Sequence, residues 1–143
     1  MSQSSKLPGT VLEAALFLWN ALNLVVCIGA MFTGSWRVYG SGFKVLLPLL
    51  ILFPAAIILL WRLAKPTRTT LWFGALFWAL QVLSVRFPDA LYRYRIGLSV
   101  DFRLTNDPSC IVAINLLALL TTVLFAVAAK RHTAASVTQS APA

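Results

Sequence analysis

The chain has 143 residues, 59% hydrophobic and 11% charged, and its twelve Lys/Arg against four Asp/Glu leave a net charge of +8. Soluble domains carry about 25% charged residues, and a water-exposed fold this poor in charge would present large apolar patches, so the composition points to an integral membrane protein. Its basic residues stand mostly at the ends of apolar runs, where they anchor and orient helices, and no nucleic-acid partner is expected.

At about 20 residues per span, the pattern predicts an all-α membrane protein. Four transmembrane helices form one bundle, with both ends on the same side. Residues 1–10 are polar and carry Pro8 and Gly9, a tail. Thr10-Val-Leu-Glu13 reads as a capping box opening span 1 at about 11–32. This run outlasts the apolar core of a signal peptide and contains Glu13, Asn20 and Asn23, so it reads as a retained span. Gly34, Trp36, Arg37, Tyr39, Gly40 and Gly42 suit an interfacial turn. Span 2, about 43–61, contains Pro48 and Pro54 and is expected to bend. Arg62, Lys65, Pro66 and Arg68 make a basic connection flanked by Trp61 and Trp72. Span 3 is read over 70–85, with Arg86 placed to snorkel. The outer loop covers 86–108, and Asp107-Pro108 reads as the cap of span 4 at 109–129. Residues 130–143 begin with Lys130-Arg131 and form an Ala/Ser/Thr-rich tail expected to be disordered.

The outer loop alternates. Tyr92, Tyr94, Ile96, Leu98, Val100, Phe102 and Leu104 are apolar, and Arg93, Arg95, Ser99, Asp101 and Arg103 fall between them. Period two is the strand signal. An odd-numbered turn at Gly97 would keep the apolar set on one face, which predicts a short extramembrane β-hairpin with its arginines outward. An irregular interfacial loop, or a short helix after Pro88-Asp89, is the competing reading.

On span 1, Glu13, Asn20, Asn23 and Cys27 fall within an arc of roughly 80° at about 100° per residue. With Gln81 and Asn115 they make a candidate polar intramembrane face. It reads either as interhelical hydrogen-bond glue or as a proton or substrate pathway with Glu13 titrating. Asn115, Ala118, Thr122 and Ala126 on span 4, and Ala75 and Ala79 on span 3, offer small-residue packing faces. Arg86, Arg93, Arg95 and Arg103 are candidate partner or headgroup contacts, with Asp89 beside them, or simply interfacial anchors. Cys27 and Cys110 lie toward the same side and could form a disulfide or remain free thiols.

No CxxC pair occurs, His132 is the one histidine, and no pair of carboxylates shares a span. Most hydrolase and transferase mechanisms therefore lack their residues, and no metal or cofactor is expected. Multidrug exporters need a mid-span glutamate, disulfide-generating quinone enzymes need cysteine pairs, and haem anchors need ligating histidines; this chain has none of these. The leading expectation is a non-catalytic accessory or complex subunit acting through helix faces and the outer loop. Its expected partners are membrane lipid and either another membrane protein or further copies of itself. A small oligomeric transporter or channel is the alternative, and lipid or isoprenoid handling a further one. Six basic residues flank the spans on each side. The terminal-side charges, concentrated beside spans 2 and 4, favour cytoplasmic termini in a bacterial inner membrane.

Overall fold

The computed structural model describes residues 11–33, 43–86, 91–93, 96–105, 107 and 110–139; for 43–49, 86, 91–93 and 133–139 it describes backbone alone. The fold is mostly helical, with four helices and a small sheet. In chain order the elements are α1 (Val11–Thr33), α2 (Phe43–Leu63), α3 (Arg68–Ala79), β1 (Leu83–Arg86), β2 (Leu91–Arg93), β3 (Asp101–Arg103), β4 (Ile111–Asn115) and α4 (Leu116–Gln139).

Each helix buries a stripe at three- and four-residue spacing, as an amphipathic face requires. On α1 the stripe is Glu13, Leu16, Asn20, Asn23 and Cys27. On α2 it is Leu52, Ala56, Leu59 and Leu63, and the helix runs through Pro48 and Pro54 without a break. Thr67 caps α3 from extended backbone, its hydroxyl accepting the Thr70 N–H at 3.2 Å. The α3 and α4 helices share the broadest helix–helix contact, α1 packs on α2 and α4, and α2 packs on α3, so the four close into a ring. Phe125 is fully buried against Gly74, with Leu71, Ala75, Trp78, Ala118 and Ala129 in the same core. Among the described residues, one helix, Val11–Thr33, is long and apolar enough by length and composition to cross a membrane, and Leu50–Leu63 forms a shorter apolar stretch.

Helix extents depart from those expected at spans 3 and 4. Helix α3 ends at Ala79, and residues 80–82 turn into β1. The start of the expected fourth span is strand β4, and α4 begins only at Leu116. The segments Val82–Val85 and Ile111–Ile114 are short apolar runs rich in β-branched residues, which favour a pleated, half-buried surface. The cap of α4 is accordingly Asn115, whose Oδ1 accepts the Ala118 N–H at 3.2 Å; Asp107 instead lies in the β3–β4 connection, its carbonyl accepting from Cys110 N–H at 3.1 Å. Helix α4 continues past Lys130-Arg131 to Gln139, into the segment expected to be a disordered tail. The N-terminal tail with Thr10, the turn holding Trp36, Arg37 and Tyr39, residues Pro88, Asp89, Arg95 and Pro108, and residues 140–143 lie outside the described residues.

The sheet also differs from the expected hairpin. Its order is β2-β1-β4-β3, antiparallel throughout, so β2 and β3 lie on opposite edges and the chain between them crosses the sheet. An isolated two-stranded hairpin is marginal. Pairing each three-residue strand with a longer central one yields more ladder bonds than pairing the two with each other. Gly97 does take the left-handed conformation, φ +81°, within the crossing segment and not in a hairpin turn.

Candidate functional site

Polar residues of α1 and of the turn after α3 converge where the helices meet the sheet. The side chains of Asn20, Asn23 and Gln81 follow one rule. Each amide nitrogen donates to a helix carbonyl four residues earlier: Asn20 to Leu16 at 2.7 Å and Asn23 to Trp19 at 2.8 Å on α1, and Gln81, just past the end of α3, to Phe77 at 3.3 Å. This tether turns each amide oxygen outward as a fixed acceptor. Asn20 Oδ1 accepts from Trp78 Nε1 at 3.1 Å, Asn23 Oδ1 from Leu98 N–H at 2.8 Å, and Gln81 Oε1 from Ile96 N–H at 2.8 Å. Asn20, Asn23 and Gln81 are each 5% exposed or less, and a buried N–H left without its acceptor costs about 1–3 kcal/mol.

The crossing segment is thus tied at two points. Ile96, 2% exposed, enters the core at the first of them, and Gly97, between them, lies against the Asn23 side chain. The Trp19 and Trp78 rings pack 6.3 Å apart at 33°. Trp19 Nε1 and Ser99 Oγ are buried with no hydrogen-bond partner among the described residues. The fourth amide, Asn115, is stitched to the sheet as well as capping α4: its N–H donates to Val82 O at 2.7 Å, and Leu116 N–H to Val100 O at 2.8 Å. On the outer side, Thr105 Oγ1 donates to Cys110 O at 2.7 Å and accepts the Val112 N–H at 3.0 Å, standing in for a ladder bond.

Glu13 is buried at the start of α1, 4% exposed, seven residues before the first of the amides. Cys27 is buried on α1, Cys110 is half-buried after the β3–β4 turn, and both thiols are free. Arg103 is exposed. The register places Arg93 opposite Ser84, Ser84 opposite Ala113 and Ala113 opposite Arg103. The backbones of the two arginines therefore lie at opposite edges, about 14 Å apart at about 4.8 Å per strand, and not at one point. Arg86 takes its place at the end of β1, opposite Leu91 and Ile111. At the other end of the bundle Arg62, Lys65, Arg68, Lys130 and Arg131 are all exposed, with Arg62 over the ring of exposed Trp61 at 5.9 Å.

Sequence reasoning names the amides but not their partners: Trp78, and the backbone of Ile96 and Leu98, lie far away in sequence. The Asn115 cap had a usable signal, an asparagine directly before an apolar helical run. On α4 the buried stripe is Ala118, Thr121, Phe125, Ala128 and Ala129, with Thr122 and Ala126 at its half-buried margin.

Chemically the junction is a set of neutral amides that fix a loop. Replacing Asn20 by Leu should leave Trp78 Nε1 buried without its acceptor, lowering stability by about 1–3 kcal/mol. Reversible unfolding in mixed micelles would measure it, and a loss confined to a few tenths would show the bond to be dispensable. Comparison with known proteins finds no matching family model, no matching curated protein and no matching solved structure.

Proposed function

We propose that this chain is a small polytopic membrane protein whose four helices cross a bacterial inner membrane with cytoplasmic termini, and that it serves as a non-catalytic accessory subunit of a membrane complex. The observation that carries the membrane reading is an inverted polarity. Asn20, Asn23, Gln81, Asn115, Thr70, Thr121 and Glu13 are buried, whereas Leu18, Val25, Ile51, Ile58, Leu76 and Leu120 on the four helices are exposed. Water would impose the reverse arrangement; hydrocarbon favours it, because buried polar groups there pair within the bundle. The exposed basic rim at Arg62, Lys65, Arg68, Lys130 and Arg131, beside Trp61 and Trp72, has the composition of an interfacial belt.

The accessory role is supported by what the polar residues already do. The oxygens of Asn20, Asn23 and Gln81 are engaged in holding Trp78 and the crossing segment, which favours glue over a transport pathway along α1. What remains for recognition is surface: the outer helix faces, and the edge of β3 with exposed Asp101 and Arg103. The test is extraction from the native membrane into lipid nanodiscs, followed by native mass spectrometry. A stoichiometric second protein is expected, and its release by charge reversal at Arg103 would place the contact. Recovery as a lone homo-oligomer would overturn the accessory role and return attention to flux measurements on Glu13→Gln.

A further inference from the structure

The register sorts the sheet into two chemically distinct faces. Residues directly opposed in an antiparallel pair share a face, and residues two apart along a strand share it again. Leu83, Ile114 and Phe102 form one row, and Val85 and Val112 the next. Leu104, whose N–H donates to Val112 O, continues that row. The other face carries Ser84, Ala113 and Arg103, then Asn115 and Asp101. On that second face Ala113 and Asn115 are buried. On the first, all six side chains are apolar, yet Leu83, Phe102 and Leu104 are more than half exposed.

Two further observations bear on what covers the apolar face. The helix ends that lead into and out of the sheet expose apolar residues too, Leu76 and Leu80 before β1 and Leu116, Leu119 and Leu120 after β4. And α3 is short. Its 12 residues reach about 18 Å at about 1.5 Å per residue, against about 30 Å of bilayer hydrocarbon. The four residues of β1 add about 13 Å at about 3.3 Å per residue, which makes up the shortfall.

We propose, on the membrane reading above, that the sheet completes spans 3 and 4 and that its face of Leu83, Val85, Phe102, Leu104, Val112 and Ile114 is covered by the acyl chains of the loop-side leaflet. On the opposite face Ala113 and Asn115 are buried, and its β3 margin, with Asp101 and Arg103, is wet. A sheet with one lipid face and one polar face, alternating residue by residue, is how the wall of a transmembrane β-barrel meets the bilayer. It also leaves the charges of β3 on water instead of hydrocarbon.

The test is site-directed spin labelling in phosphatidylcholine/phosphatidylglycerol nanodiscs, in a background of Cys27→Ala and Cys110→Ser. Labels are introduced one at a time at positions 83, 102 and 104, at 101 and 103, and at the helix controls 76 and 120. Collision with oxygen, which dissolves in lipid, is compared with collision with a water-soluble nickel chelate. The expected oxygen-to-nickel ratio at 83, 102 and 104 equals that at 76 and 120, and is several-fold above that at 101 and 103. Nickel preference at 83, 102 and 104 with oxygen preference at the controls would overturn the sheet assignment alone. Exclusion of both reagents there would mean a protein partner or a second copy covers the face, and would also overturn it. Nickel preference at the controls as well would overturn the membrane reading with it. If the substituted background does not fold, a diazirine phospholipid applied to the unmodified chain serves instead: carbene insertion at Phe102 and Leu104 but not Arg103 is expected, and none at any of the three overturns the proposal.

Discussion

Replacing Gly97 by alanine is expected to cost about 2–5 kcal/mol, a large share of the about 5–15 kcal/mol by which a protein of ordinary stability is folded. Two independent terms add. Gly97 has φ +81°, and an L-residue held in the left-handed region costs about 1–2 kcal/mol. A Cβ there would also fall on the Asn23 side chain, 2.6 Å from its Cβ, and forced overlap in a packed interior costs about 1–3 kcal/mol. Asn23 cannot simply yield, because its oxygen holds the Leu98 N–H at 2.8 Å. Unfolding in mixed micelles measures the loss, and hydrogen exchange at Ile96 and Leu98 locates it. Putting the same substitution into Asn23→Gly, which removes the Cβ as well as the amide, separates the terms: the overlap disappears, the backbone term stays, and Gly97→Ala should then cost only about 1–2 kcal/mol. A full-sized loss in that background would mean the contact with Asn23 is not what makes the position intolerant.

This junction also shows which features a single sequence can disclose. The α1 face was legible because Glu13, Asn20, Asn23 and Cys27 recur at helical spacing, and the structure buries all four. Glycine at 97 was legible as a left-handed residue within an alternating segment. What could not be read was pairing. The period-two pattern of 92–104 says that residues alternate between faces, but it does not say which strand lies alongside. The partners of β2 and β3 are β1 and β4, hidden inside runs expected to be helical. A short apolar run such as Val82–Val85 or Ile111–Ile114 fits a buried helix turn as well as a buried strand by periodicity alone; its β-branched content was the remaining signal. For the same reason Gln81 reads as a mid-span polar residue in a helix of 70–85, when it is in fact two residues past a helix end, where its side chain can reach Ile96 N–H. Arg103 was expected to project outward and is exposed, but the apolar residues on either side of it, Phe102 and Leu104, are exposed too.

The second large effect is expected at Gly74, where the two best-packed helices touch. A Cβ at this position would lie 2.6 Å from Cδ1 of Phe125, a residue with no exposed surface. Gly74→Leu therefore cannot be absorbed by a turn of one ring and must push α3 and α4 apart, at a cost of about 1–3 kcal/mol or more. Phe125→Ala alone should lose about 3–5 kcal/mol through the cavity it leaves. Combined, the two changes partly restore the filled volume, so the double variant should be more stable than the sum of the single losses predicts, by about 0.5–3 kcal/mol. Strict additivity would show that the helices already have room to part. The consequence reaches beyond the helix pair, because α3 runs through residues 80–82 into β1, and β4 runs directly into α4. The spacing of α3 and α4 is thereby imposed on the central strand pair, where Asn115 N–H meets Val82 O at 2.7 Å and Leu83 stands opposite Ile114. In Gly74→Leu the amide of Asn115 should lose exchange protection together with the helix contacts. Loss of protection in α3 and α4 with the Asn115 amide unchanged would mean that the sheet keeps its register independently of the helices that carry it.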